Sequence, residues 1–319
     1  MAGDGKTTWS TAVLIGAVAL AFIGGVIGLT QLNISADDPG VRSHVALPLH
    51  HGETLRVETV NGVITYESWD GDQVDIEAVV KARALTNGQA RRYTGQVQVE
   101  VGRTADGVAA VARLPENLEN LNVVTVNFHV RVPEDWRGNV ELRTANGPVT
   151  AVNLHGHAEV ETATGPITIR SHTGSLRAVT GNGAIDVHDA ETVLAAFTSN
   201  GSIDVRGAVL QGQGFARTLN GTVRIRGELD EAASLQVDTS QGSVSFVLEE
   251  PDVVLDLAAT NGAVRLHADV AASVHERDKL VGRIGAGKAR LSARALNGSI
   301  DLHVIGATAM ESPASSAAN

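Results

Sequence analysis

Apolar and polar positions alternate with period two along most of the chain beyond residue 141, and the alternation pauses at regularly spaced glycine corners. Each corner is Asn-Gly or a near equivalent, one further residue, then Val or Ile. They begin at Asn61, Asn146, Thr164, Asn182, Asn200, Asn220, Gln241, Asn261 and Asn297. From Asn146 the steps are 18, 18, 18, 20, 21, 20 and 36 residues, the last equal to two coils. Two residues before the corners stand Thr59, Thr144, Thr162, Thr180, Thr198, Thr218 and Thr239, replaced by Ala259 and Ala295 at the end. Four before is an aliphatic position (Val57, Leu142, Val160, Leu257), and three after is always Ile or Val. Alternation on both sides of a corner predicts two strands with one buried face each. A period near 20 residues marks a stacked array.

Asn-Gly is also the strongest two-residue hairpin signal, so the local pattern fits hairpins and coil corners equally. Burial separates them. Successive hairpins would form a very wide sheet whose apolar face nothing covers, whereas a coil closes its inward face around a narrow core. Coils stacked about 4.8 Å apart also place like on like, which accounts for the Thr column and allows an Asn ladder. The expected fold is all-β: a single-stranded-stack β-solenoid, β-helix-like, with about 18–21 residues per coil, behind one N-terminal transmembrane helix.

The regular coils are expected over 141–305, with an inserted loop at 269–288, where charges and a Gly-x-Gly interrupt the pattern. Residues 53–140 read as N-terminal strands and the solenoid's cap. Strands are expected at Leu55–Thr59, Val63–Trp69, Val74–Ala84, Gln96–Val101, Val108–Arg113 and Val123–Val132, with a short helix at Thr86–Tyr93. Pro148 and Pro166, just after corner glycines, suggest an exposed edge. Residues 33–52 are expected as a linker and 306–319, an Ala/Ser tail, as disordered.

Beyond a short N-terminal segment (1–10), no charge occurs between Lys6 and Asp37, and Thr11–Leu32 is apolar enough to span a membrane. Trp9 stands where an interfacial anchor would sit, and Gly24-x-x-x-Gly28 would suit helix pairing. The alternative is a cleaved signal peptide, but the run is longer than such a segment needs, and the best cut, after Ala36, places bulky Ile34 three residues back from the cleaved bond. Lys6 before the span and Asp37-Asp38 after it place the large domain outside a bacterial cytoplasmic membrane, periplasmic or extracellular.

Composition narrows the chemistry. Aromatic residues are 3% and glycines number 34, so the core is aliphatic. The net charge of −11 argues against nucleic acid as a partner. There are no cysteines, hence no disulfides, thiolate metal sites or thiol nucleophiles.

Six residues after the corner, on the outward face, run Arg170, His188, Arg206 and Arg226, then Val247, with His267 and His303 beyond. In a stack these would form one column able to hold a polyanion such as an acidic polysaccharide or lipid phosphate. The plainer reading is an ordinary polar face, offset by Asp186, Asp204 and Asp301. Asp186 and Asp204 on adjacent coils resemble a glycosidase carboxylate pair, but outward aromatics are few, chiefly Phe197 and Phe215, and no cleft is evident. His155-x-His157 and His50-His51 lack the further ligands a metal needs. Gly285-x-Gly287-Lys288 lacks the strand–helix context of a phosphate loop, and no nucleophile elbow occurs. No catalytic residue, cofactor or metal is expected.

The series Leu55-x-Val57-x-Thr59-x-Asn61-Gly62-x-Ile64, the Asp70-Gly71-Asp72-x-Val74 after it, Val132-Pro133 before the coils, and the closing Leu296-Asn297-Gly298-Ser299-Ile300-Asp301-Leu302 together resemble the bacterial "putative adhesin" domain family. The resemblance covers about Leu55 to Val304. It implies a β-solenoid, often tethered behind a membrane helix, and brings no catalytic residues. Thr164, Gln241, Pro148 and Pro166 depart from the pattern. The expected function is a non-enzymatic, membrane-anchored envelope protein, an adhesin-like binding or scaffolding module for envelope glycan, protein or its own copies. A polysaccharide-active β-helix enzyme and a solenoid that self-assembles end to end remain as alternatives.

Overall fold

A computed structural model describes residues 29–31, 41–84, 86–115, 123–267 and 271–306. Its centre is a stack of parallel strands in which each residue faces its counterpart one coil on. Strands Val149–Thr164, Ile167–Asn182 and Ile185–Asn200 lie in register: Val149 faces Ile167, which faces Ile185, and Thr162 faces Thr180, which faces Thr198. Parallel pairing across one whole repeat excludes hairpins and makes the corner a turn of a coil. Each of these strands bends once more, at Asn153, Ser171 and Asp189, whose φ values of 56, 57 and 54° are left-handed. Asn and Asp tolerate that conformation better than other non-glycine residues.

The corner explains its own sequence. Each Thr hydroxyl is buried and donates to a backbone carbonyl of the preceding coil's corner: Thr162 to Gly147 (3.0 Å), Thr180 to Gly165 (2.9 Å), Thr198 to Gly183 (2.9 Å), Thr218 to Gly201 (2.9 Å) and Thr239 to Gly221 (3.0 Å). The Asn side chains form the expected ladder where they are consecutive, with Asn200 Nδ2 donating to Asn182 Oδ1 and Asn220 Nδ2 to Asn200 Oδ1, both at 2.8 Å. The glycine is required by proximity: a Cβ on Gly201 would stand 2.0 Å from the Gly183 carbonyl oxygen.

Pro148 and Pro166 do not mark an edge; they sit inside the stack. Coils are bridged at the corner by the N–H of the glycine and of the Ile or Val two residues on, as in Gly165 N to Asn182 O and Ile167 N to Ala184 O, both 2.9 Å. The residue between them donates to no backbone carbonyl at these corners, so proline there removes nothing.

At both ends the order in space departs from the order in sequence. The coil Ala289–Asn297 and Ile300–Ile305 inserts between Ser234–Glu249 and the coil carrying Asn261: Gln241 pairs with Asn297, and Val264 with Ile300. The expected loop at 269–288 instead includes two strands, Ala271–His275 and Lys279–Ile284, the second antiparallel to Val253–Ala259. This hairpin covers the outer edge of the Asn261 coil and brings the chain back inside it. At the other end, Val123–Pro133 packs outside Ile64–Trp69, which itself pairs with Val149–Val152.

The strands expected before Asn146 all appear within two residues of their bounds. The short helix spans Asn87–Thr94, capped by the Thr86 hydroxyl accepting from Gln89 N at 3.2 Å. The expected linker contains a strand, Val41–Leu47, antiparallel to Val74–Arg83. Residues 29–31, placed by the sequence at the end of the membrane span, form a strand paired with residues 100–102, because their backbone extends that sheet edge. The rest of the expected span up to residue 28, Trp9, Gly24-x-x-x-Gly28 and the tail at 307–319 lie outside the described residues. Among the described residues no helix is long and apolar enough to cross a membrane.

Candidate functional site

Each coil presents two outer faces, one on the leading strand before the corner and one on the trailing strand after it. On the trailing face the expected column forms: Arg170 faces His188, His188 faces Arg206, and Arg206 faces Arg226. It continues through Val247 and His303 to His267, the last two rings stacked with centroids 4.1 Å apart. Neighbouring members stand about one strand spacing, ~4.8 Å, apart. A parallel row two residues nearer the corner carries Thr168, Asp186, Asp204 and Arg224 in register.

The carboxylates do not cancel this charge evenly. Asp204, only 6% exposed, is gripped by Arg206 through Nε–Oδ1 at 2.8 Å and Nη2–Oδ2 at 2.5 Å. That bidentate pair takes the carboxylate out of reach of any acid–base role with Asp186. Arg226 reaches Glu249 at 3.5 Å. Arg170 and Arg224 make no ion pair with any described residue.

The leading face is built differently. Its arginines interlock with carboxylates from coil to coil: Arg56 with Glu141 (2.9 Å), Arg143 with Glu159 (2.7 Å), Arg177 with Glu159 and Glu161 (3.0 and 3.2 Å), Arg217 with Asp238 (2.8 Å) and Arg294 with Asp256 (3.3 Å). Burial pushes the Glu159 carboxyl up, yet the hydrogen bonds and charges of Arg177 and Arg143 outweigh it and leave the group below its usual range. Between the two halves of this ladder the face turns apolar, with Val179, Ala195, Phe197 and the 41% exposed Phe215 on adjacent coils.

The histidine candidates do not converge. His157 Nδ1 lies 2.8 Å from Ser175 Oγ, and His155 faces Thr173, its pKa lowered by burial and then by Arg137. His50 and His51 instead tie the backbone to the 134–137 turn, where Trp136 Nε1 donates to His50 O (2.8 Å) and Arg137 N to His51 Nδ1 (3.1 Å). No group of three or more metal-ligating side chains occurs among the described residues. Gly285 and Gly287 fold around the Asp252 carboxylate, which accepts from Gly287 N, so no anion would enter there.

One histidine escaped the sequence reading. His172 is 1% exposed and points into the core between Leu154 and Ala190. Its Nδ1 lies 3.2 Å from the Leu154 carbonyl, Nε2 has no partner, and burial lowers its pKa to about 4, against the weaker opposing pull of the Leu154 and Ser175 carbonyls. The signal was its place one repeat from Leu154 and Ala190, both at inward positions.

A family model described as Toastrack DUF4097 matches residues 52–303. No curated protein matches the chain. Among solved structures, a putative adhesin from Bacteroides fragilis NCTC 9343 aligns at 11% identity and TM-score 0.46, over 82% of this chain and 96% of that one. A putative adhesin from Parabacteroides distasonis ATCC 8503 aligns at 9% identity and TM-score 0.44, over 84% and 99%. A putative cell adhesion protein from Clostridium sporogenes ATCC 15579 aligns at 9% and 0.26, over 83% and 99%.

Proposed function

The chain belongs to the Toastrack DUF4097 family, and from that premise we propose that it is a non-enzymatic, adhesin-like envelope module that holds a polyanion along Arg170, His188, Arg206 and Arg226. The observation that carries this reading is the imbalance between the two faces. Of the leading-face arginines, those at 56, 143, 177, 217 and 294 are ion-paired and Arg290 makes no ion pair with a described residue, whereas on the trailing face both Arg170 and Arg224 have no carboxylate partner beside the paired Arg206, Arg226 and Arg265. Cations repeated about every 4.8 Å suit a polymer of closely spaced negative groups, such as an acidic glycan, more than a compact ligand. Asp204 is committed to Arg206, which leaves Asp186 without the second carboxylate that glycosidic cleavage requires.

The module would be tethered by residues 11–28, whose 18 residues as a helix rise about 27 Å, close to the thickness of a hydrocarbon core. The charges flanking that segment favour a single pass with the solenoid on the periplasmic or extracellular side of a bacterial cytoplasmic membrane.

The test is retention of the detergent-solubilised full chain on immobilised polygalacturonate under a salt gradient. Arg170→Glu and Arg224→Glu each lower the eluting salt, while Arg143→Gln, on the paired face, leaves it unchanged. Equal elution of all four proteins would sink the reading.

A further inference from the structure

We infer that the leading face is a self-complementary interface joining two copies of this chain about a two-fold axis. The axis lies parallel to the strands, between the Asn200 and Asn220 coils, where the apolar window sits. The inference uses a different face from the polyanion row and stands or falls separately.

Three observations on this face lead to it. The first is the window itself: in a chain with five phenylalanines, Phe197 and Phe215 both point outward on neighbouring coils, beside Val179 and Ala195. The second is the order of charges on either side. A face-to-face two-fold of this kind reverses the coil order, so the Asn200 coil meets the Asn220 coil of a second copy, and successive coils outward meet in turn. The Asn182 coil then meets the Gln241 coil, setting Arg177 against Gln236 and Asp238. The Thr164 coil meets the Asn297 coil, setting Glu161 against Arg294. The Asn146 coil meets the Asn261 coil, bringing Arg143 beside Asp256, which offsets the like charge of Glu141. At the centre Phe197 meets Arg217, a cation over a ring, and Phe215 meets Ala195. Three of the four coil pairings therefore bring opposite charges together, the central one sets Arg217 over a ring, and the symmetry doubles each pairing.

The third observation is size. Eight coils at ~4.8 Å and strands of about seven residues give a flat face of about 20 by 34 Å. That is close to the ~800 Å² per partner of a standard interface. A rotation about the stack axis would instead set Glu159 against Glu161 and face Arg177, Asp238 and Arg294 with the uncharged Val179, Gln236 and Ser292, with Arg143 meeting an opposite charge at Glu141, so the charges favour the first of the two face-to-face arrangements.

The chain has no cysteines, which makes single substitutions clean reporters. Arg177→Cys and Gln236→Cys stand three coils apart within a chain, about 14 Å, beyond the Cα limit for a disulfide. Across the proposed axis they face each other. The experiment mixes the two full-length variants in detergent under mild oxidation and compares each alone. The mixture should form disulfide-linked dimers at least tenfold faster than either variant by itself, and adding Phe215→Asp to both should abolish the difference. Val179→Cys with Asp238→Cys is the second pair, in case one substitution disturbs the ladder. Equal rates for like and unlike pairs, or rates unaffected by Phe215→Asp, would overturn the interface. A chain that stays monomeric but loses glycan retention on Phe215→Asp would overturn it too, assigning the window to a sugar.

Discussion

Replacing His172 with leucine isolates one titration inside the core. The unfolded imidazole has a pKa near 6.5, and in the folded chain burial lowers it to about 4. Between these values the unfolded chain binds a proton that the folded chain refuses, so stability falls as pH falls. The contribution is fully present above about pH 6.5 and is lost progressively down to about pH 4. At 1.36 kcal/mol per unit, the difference of about 2.5 units corresponds to roughly 3 kcal/mol. His155 and His157 lie near enough to disfavour the charged form slightly. Carboxylates held low by arginine, such as Glu53 and Glu159, act chiefly below this window and are common to both proteins. Leucine already occupies the equivalent inward position at Leu154, and it removes the unpartnered Nε2. The assay is denaturant unfolding at pH 7.5 and 4.5 for both proteins. At pH 7.5 they should agree within about 1 kcal/mol, since removing an orphaned acceptor offsets the lost bond to Leu154. At pH 4.5 the variant should be more stable by about 2–3 kcal/mol. Identical pH slopes would mean that the imidazole is solvated or already charged, and the burial argument would fail.

The corner makes two further predictions and the short helix a third. Thr198→Val keeps the shape but leaves the Gly183 carbonyl without its hydroxyl, and should cost about 1–3 kcal/mol by the same unfolding assay. Gly201→Ala drives a Cβ against the Gly183 carbonyl and should lower the midpoint far more, by several kcal/mol or loss of soluble protein; a melting temperature within a degree of the parent would refute the close approach. In contrast, a Cβ at Gly88, in the exposed helix, meets nothing within 4 Å, so Gly88→Ala should stabilise that helix by about 0.5–1 kcal/mol, measured as slower amide exchange there.

Much of this architecture is readable from the sequence because stacking turns a local pattern into a column. Thr at one offset, Gly at another and Ile or Val at a third are each held by the coil beneath them, so the same residue type recurs at each level. The column of Arg170, His188, Arg206 and Arg226 is readable for the same reason: register follows from the period. The order of the coils at the ends is not readable. Parity and period describe which face a residue occupies, and they say nothing about which coil lies next to which. The 36-residue step before Asn297 looked like two coils' worth, yet it holds a hairpin that lets the chain double back. The leading face was hidden for another reason. Its opposing charges lie in neighbouring coils rather than neighbouring residues, so the gap in the ladder at Phe197 and Phe215 emerges only once the coils are superposed.

The tucked ends also decide how such a protein can change length. A coil added beyond Ile305 would have no free ledge, since that strand lies between two others and the outermost coil is already roofed by a hairpin. In the middle, by contrast, a whole 18-residue unit spliced in after Thr164 would meet a neighbour of the same shape on each side. Lineages of this fold should therefore grow and shrink by duplication or deletion inside the column, as a ladder is extended between its feet and its top rung. Each such event would move the tip of the solenoid by about 4.8 Å and add or remove one site along its flank.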